Sequence, residues 1–198
     1  IGVAWSGRKD SWINQHKSMP ASTMADLVRK FPEHQWINLQ VDASAEDEEI
    51  IRSAGVECYP GTIGDFADTA ALMHHLDLVI SVDTAAAHLA GAMGRPLWIP
   101  LNAYGPCWRW LEKRDDSPWY SSARLFRQES YGDWSAPMSK IAGEQAMKKA
   151  HEFMNINKVD TTHTVTIIGV GNVGKAAAFT AQELGYKNIN LIDKRSEE

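Results

Sequence analysis

Short apolar runs and helix-period stripes alternate along the first hundred residues. IGVAWS at 1–6 is an apolar run with β-branched and aromatic members that stops at Ser6-Gly7, so it predicts a buried strand entering a loop. Residues 7–19 are polar and basic and read as that loop. Pro20 can open a helix because its missing N–H costs nothing in a first turn; Ala25, Leu27 and Val28 give the stripe, and Phe31-Pro32 ends it. QWINLQV at 35–41 is the second strand. Acidic residues from Glu46 to Glu49 predict a helix start, since carboxylates favour the positive end of the helix dipole. Gly55 closes that helix and VECY at 56–59 is the third strand. Asp68 is placed to cap a helix at 69–76, and LDLVISV at 76–82 is the fourth strand. Asp83 is placed to cap a helix at 84–93, Gly94 terminates it, and PLWIPL at 96–101 is the fifth strand.

These strands are apolar throughout rather than alternating, which is the pattern of a parallel sheet covered by helices on both faces. The expected class is therefore α/β, a doubly wound parallel sheet. Residues 102–134, rich in Trp, Tyr, Pro and Asp, predict an aromatic loop with one helical turn and a short strand RLFRQ at 124–128. A helix at 136–154 closes the domain, so its expected span is 1–154. Residues 155–161 are polar and aperiodic, as a linker would be. A second strand-turn-helix-strand unit fills 162–198, and all eight tryptophans lie before it.

Composition changes this picture little. The chain has 198 residues, 44% of them apolar and 23% charged, as in a folded soluble protein. A net charge of −5 argues against a nucleic-acid binder, which would carry a basic stripe. Cys58 and Cys107 form no CxxC, so neither a disulfide framework nor a zinc site is indicated, and a reducing cytoplasm fits. No run approaches a membrane span, and no signal peptide is visible. The chain starts at Ile1 inside a strand, which reads as a fragment whose N-terminus lies elsewhere.

Candidate chemistry concentrates at SVDTAAAHLAGAMGRP, 81–96, where a buried strand turns into a helix. Ligands of open α/β sheets bind at such strand ends. The first-turn amides of Thr84, Ala85, Ala86 and Ala87 lack intrahelical acceptors and, with the dipole, suit a diphosphate. Asp83 either caps those amides or holds a sugar hydroxyl. The alternative is a well-capped helix that packs on the sheet. His88 is open in the same way, as a satisfied core histidine or as a partner of phosphate or ribose. Trp108, Trp110, Trp119, Tyr120 and Trp134 could stack on a sugar or base, although packing of the loop is the plainer use of most of them. Asp115 and Asp116 read as solvated turn carboxylates rather than an acid/base pair.

WSG at 5–7, NLQ at 38–40, residues 68–101, WRWL at 108–111, RDDSPWY at 114–120, RLFRQ and GDW resemble the C-terminal half of family 9, heptosyltransferase-like glycosyltransferases, most closely those fused to tetratricopeptide repeats. The resemblance covers about 150 residues. It implies the two-lobed GT-B arrangement, with a nucleotide-sugar donor in this lobe. The acceptor, a glycan, lipid-linked saccharide or protein, and the catalytic base would belong to another lobe. By that resemblance Ser6 and Gly7 start a loop near the donor phosphates, and Gln40 sits at a strand mouth near the nucleotide. Asp83, Thr84, Ala85, Ala86 and His88 belong to the donor turn, while Arg8, Lys9 and Lys17 neutralise phosphate. Such an enzyme needs no metal, and this fragment alone would be inactive. A non-catalytic nucleotide- or sugar-binding module is the alternative reading.

Gly169-Val170-Gly171-Asn172-Val173-Gly174 forms a second motif, preceded by a strand, followed by a helix, with Asp193 19 residues after Gly174. That context suits dinucleotide binding, with Asp193 on a ribose hydroxyl. IIGVGNVGKAAA and LIDKR resemble the start of lactate and malate dehydrogenases over about 35 residues. The resemblance implies NAD as the cofactor of the parent domain, and hence a third reading as an oxidoreductase fragment.

Overall fold

The computed structural model describes residues 1–8, 12–156, 161–162, 164–168 and 172–192. The chain divides into two compact units, Ile1–Trp134 and Ser135–Glu198.

The first unit contains strands β1 (Gly2–Ala4), β2 (Trp36–Asn38), β3 (Val56–Glu57), β4 (Val79–Ser81), β5 (Leu97–Leu101) and β6 (Ala123–Arg127). Its helices are α1 (Trp12–Lys17), α2 (Ala21–Lys30), α3 (Ala45–Ser53), α4 (Phe66–His74) and α5 (Ala85–Ala92). The strands form one sheet in the order β3-β2-β1-β4-β5-β6. Every neighbouring pair is parallel, with Gly2 opposite Ile37 on one side and Val79 on the other. This is a Rossmann-like α/β fold, and the strand order reverses between β1 and β4. The apolar strands have a physical counterpart: Val3, Ala4, Val79, Ile80 and all of β5 are buried. Strand β6 is buried at Ala123, Leu125 and Phe126 and only half-buried at Arg124 and Arg127, as an edge strand should be.

Most elements fall where the pattern puts them, and three differ. The expected loop 7–19 contains α1, none of whose residues is buried; with no core-facing stripe, its sequence carries no periodic signal. The fourth helix starts at Phe66 and is capped by Asp65, whose side chain accepts from the amides of Ala67 and Asp68. Asp68 instead lies in the first turn, and its Oδ2 accepts from Gly64 N at 2.9 Å. The N-cap of α5 is Thr84 rather than Asp83. Ser44 caps the acidic start of α3 through Asp47 N, as the carboxylate run there leads one to expect.

The second unit holds α6 (Ser135–Ile156), β7 (Val165–Ile168), α7 (Asn172–Glu183) and β8 (Ile189–Ile192). The helix expected to close the first domain is α6, and it groups here, packed along α7. Gly143 sets that crossing: a Cβ there would run into the Val173 carbonyl oxygen and come within 2.9 Å of Ala176 Cβ. Strands β7 and β8 pair in parallel, giving a β-α-β unit.

Candidate functional site

A cavity of about 510 Å³ opens at the carboxyl ends of β1, β2 and β4, where the strand order reverses. Such switch points are where open α/β sheets bind ligands. Ser6, Gly7, Gln40, Thr84, Ala85 and Ala86 all line it. Lys17, Asp83 and His88 are not among the lining residues.

The loop after β1 is tied down from within. Ser6 N donates to Gln40 Oε1 at 3.0 Å, and Gly7 N donates to Ser18 Oγ at 3.0 Å. Those two amides are therefore already spent within the loop, and Arg8 also lines the cavity. Gly7 is required by contact: a Cβ would sit 2.8 Å from Asn14 Cβ on α1. Gln40 is doubly held, since its Nε2 donates to Asp42 Oδ1 at 2.5 Å. Sequence alone did not single out Asn14, Asp42, Ile63 or Phe66, which complete the walls. Only Asp42 carried a signal, as an acid just past a strand mouth.

The opposite wall is the start of α5. No side chain caps this helix, because Thr84 Oγ1 is engaged with Ser81 Oγ at 3.0 Å. The first-turn amides and the positive dipole end thus face a cavity walled by Ala85 and Ala86, whose short side chains leave room for an anion. Asp83, expected either to cap these amides or to hold a hydroxyl, turns the other way. Its Oδ2 accepts from Lys17 Nζ at 2.7 Å and from Cys107 N at 2.8 Å, and it is 3% exposed. His88 Nε2 lies 3.6 Å from Asp83 Oδ1. Burial pushes the Asp83 carboxyl up, but His88, Lys17, Trp110 and the Cys107 amide outweigh it and hold the group at about 2. The Trp110 indole N–H meets no acceptor at hydrogen-bond geometry, so its contribution is that of a nearby dipole. Lys17 accordingly neutralises Asp83 rather than standing free for phosphate.

His88 stacks on Trp110 with ring centroids 4.9 Å apart, and its Nδ1 pairs with Tyr120 Oη at 3.2 Å. It is a packed residue of the Asp83 network. The aromatic loop splits in two. Trp110 and Trp134 are buried, while Trp108 and Trp119 are exposed and meet edge to face. Asp116 is exposed and paired with Arg114, whose hydrogen bond holds its carboxyl below the ordinary value, as befits a solvated ion pair. Among the described residues, Asp83, His88 and Cys107 are the one group with metal-ligand spacing, and Lys17 already occupies the carboxylate.

Lys9 lies outside the described residues, as do Gly169, Gly171 and Asp193 of the second motif. Asn172, Val173 and Gly174 form the first turn of α7. No helix among the described residues is long and apolar enough to cross a membrane.

The profile of glycosyltransferase family 9 (heptosyltransferase) matches residues 10–109, which take in Lys17, Gln40 and the β4–α5 turn. The chain is also 34% identical over 149 residues to Protein FlbA of Caulobacter vibrioides, a match covering 72% of this chain and 24% of that protein. It thus spans about a quarter of that relative's length.

Proposed function

Because the chain belongs to glycosyltransferase family 9, the heptosyltransferase family, we propose that its first unit binds a nucleotide-diphosphate sugar and steadies the diphosphate as the sugar leaves. The observation that carries this reading is the uncapped start of α5, facing a cavity of about 510 Å³ at the β1/β4 switch point. Backbone amides fixed by a helix bind an anion without reorganising, which is the condition for stabilising a leaving group. Arg8 adds positive charge from the facing loop. Phe66, 63% exposed in the cavity wall, offers a face for the base.

In this reaction an acceptor hydroxyl oxygen bonds to the anomeric carbon, the bond from that carbon to the diphosphate oxygen breaks, and its electron pair departs with the nucleoside diphosphate. The proton passes to a base outside this unit, in the second lobe that the two-lobed arrangement provides, and the configuration inverts. Helix amides and Arg8 carry the leaving-group charge.

Ala85→Asp tests this. An acid in the first turn stabilises a helix by about 0.3–1 kcal/mol, so the fold should keep or gain stability. The same carboxylate repels a diphosphate. Titrating ADP-, GDP- and UDP-sugars against both proteins by thermal shift should show at least one raising the wild-type midpoint and none raising that of the variant. Equal shifts in the two proteins would overturn the assignment.

A further inference from the structure

Cys107 carries a free thiol that the first cavity does not use, and the fold brings it beside a buried carboxylate and an imidazole. Asp83, just after β4, His88, on α5, and Cys107 each present one ligand atom, and the three atoms lie within 4.8 Å of one another. No spacing in the sequence announces the group, because positions 83, 88 and 107 follow none of the usual zinc-ligand patterns.

Lys17 takes only part of the carboxylate. Its Nζ and the Cys107 amide both bond to Asp83 Oδ2, at 2.7 and 2.8 Å, so Oδ1 stays open toward His88. The gap from Oδ1 to His88 Nε2 is 3.6 Å, longer than an N–H···O hydrogen bond of about 2.7–3.2 Å. It is close to the edge of a tetrahedron whose centre lies about 2.0–2.2 Å from each atom. His88 Nδ1 pairs with Tyr120 Oη at 3.2 Å, and a ring that donates its Nδ1–H there turns the Nε2 lone pair on Asp83. A second bond of this kind is what fixes the tautomer of metal-binding histidines. Arg109 donates to Cys107 Sγ at 3.5 Å, and a cation there favours the thiolate.

From this geometry we propose that Asp83, His88 and Cys107 form a zinc(II) site with one oxygen, one nitrogen and one sulfur ligand. A thiolate with an imidazole selects a borderline-soft ion over magnesium or calcium, which prefer oxygen. Binding expels the Cys107 thiol proton to solvent and moves no electron. The charge of Zn²⁺ is then cancelled by the Asp83 carboxylate and the Cys107 thiolate, so the Lys17 and Arg109 cations keep their places. Cys107 is half-buried, and a side-chain rotation brings its sulfur to bonding distance. The fourth position takes a water from a second cavity, of about 680 Å³ at the carboxyl ends of β5 and β6, whose wall includes Cys107. None of the three ligands lines the first cavity, so the ion braces the back of the α5 start and takes no part in sugar transfer.

The test titrates Co²⁺, a spectroscopic stand-in for zinc, into the reduced 198-residue chain and then displaces it with Zn²⁺. One equivalent should give the visible bands of a tetrahedral ion and a thiolate-to-cobalt charge-transfer band, both lost when Zn²⁺ is added. Cys107→Ser should remove the charge-transfer band, and Cys58→Ser, which alters the other cysteine, should keep it. Tyr120→Phe leaves all three ligands in place and should weaken binding about tenfold or more by removing the Nδ1 partner. Circular dichroism of the metal-free variants checks that each folds. Zn²⁺ should also raise the thermal midpoint of the wild-type chain but not that of Cys107→Ser. A wild-type chain without the charge-transfer band, a band that survives Cys107→Ser, or equal affinity in the wild type and Tyr120→Phe overturns the proposal.

Discussion

Asp83 concentrates the residue-scale physics of the first unit. A carboxylate 3% exposed persists as an ion because Lys17, Cys107 N and His88 surround it. Its folded value of about 2 lies below the ordinary 3.8. The stability it contributes is therefore present above about pH 4 and lost as pH falls toward 2, to the extent of about 2 kcal/mol. Asp83→Asn leaves the Lys17 ammonium, 13% exposed, without its counter-ion, and should cost about 3 kcal/mol by urea unfolding at pH 7. It should also flatten the fall in melting temperature between pH 4 and pH 2, and a variant that keeps that fall would show the acid loss to come from other carboxylates. Little of this was legible in the sequence. Position 83 reads as an N-cap because it is an acid at a strand-helix junction; of its actual partners only His88 is near in sequence, while Lys17 and Cys107 lie 66 and 24 residues away and no local spacing reveals them. The turn itself was legible, since Thr84, Ala85 and Ala86 line the cavity as a small-residue helix start should.

At the scale of elements, legibility follows burial. Strands β1, β4 and β5 are apolar because both faces are covered, and they were readable for that reason. Helix α1 buries nothing, and it was not. The start of α4 was misplaced by three residues because Phe66 and Ala67, its first members, are exposed and add nothing to an apolar stripe. Gly91, inside α5, shows a constraint that no helix propensity contains. Ala normally gains about 1 kcal/mol over Gly within a helix. Here a Cβ would lie 2.6 Å from Tyr120 Cγ, and overpacking of that kind costs about 1–3 kcal/mol, so the clash decides the sign. Gly91→Ala is expected to destabilise the wild-type protein in chemical denaturation and to stabilise a Tyr120→Ala background. Stabilisation in both backgrounds would mean that the ring moves aside freely, and that the Tyr120 contact with His88 is looser than its 3.2 Å separation implies; destabilisation in both would place the cost elsewhere than at Tyr120.

For the whole molecule, the division into Ile1–Trp134 and Ser135–Glu198 has a thermodynamic consequence. The proposed donor site belongs entirely to the first unit, since the cavity is lined by residues from Ala4 to Ala86. A ligand that binds only the folded form stabilises it by about 2.7 kcal/mol at a hundred times its dissociation constant. For a protein of this size each kcal/mol moves a melting midpoint by about 2–4 °C, so the expected rise is about 5–10 °C. If the two units melt separately in calorimetry, a nucleotide-sugar should move only the first unit's transition, and NAD should move only that of the β7-α7-β8 unit if its glycine motif is competent. That unit was readable from its pattern alone, yet a single β-α-β pair buries too little area to hold a dinucleotide strongly, which makes a large NAD shift the result least compatible with this assignment. One shared transition raised by a nucleotide-sugar would instead mean that the two units unfold cooperatively.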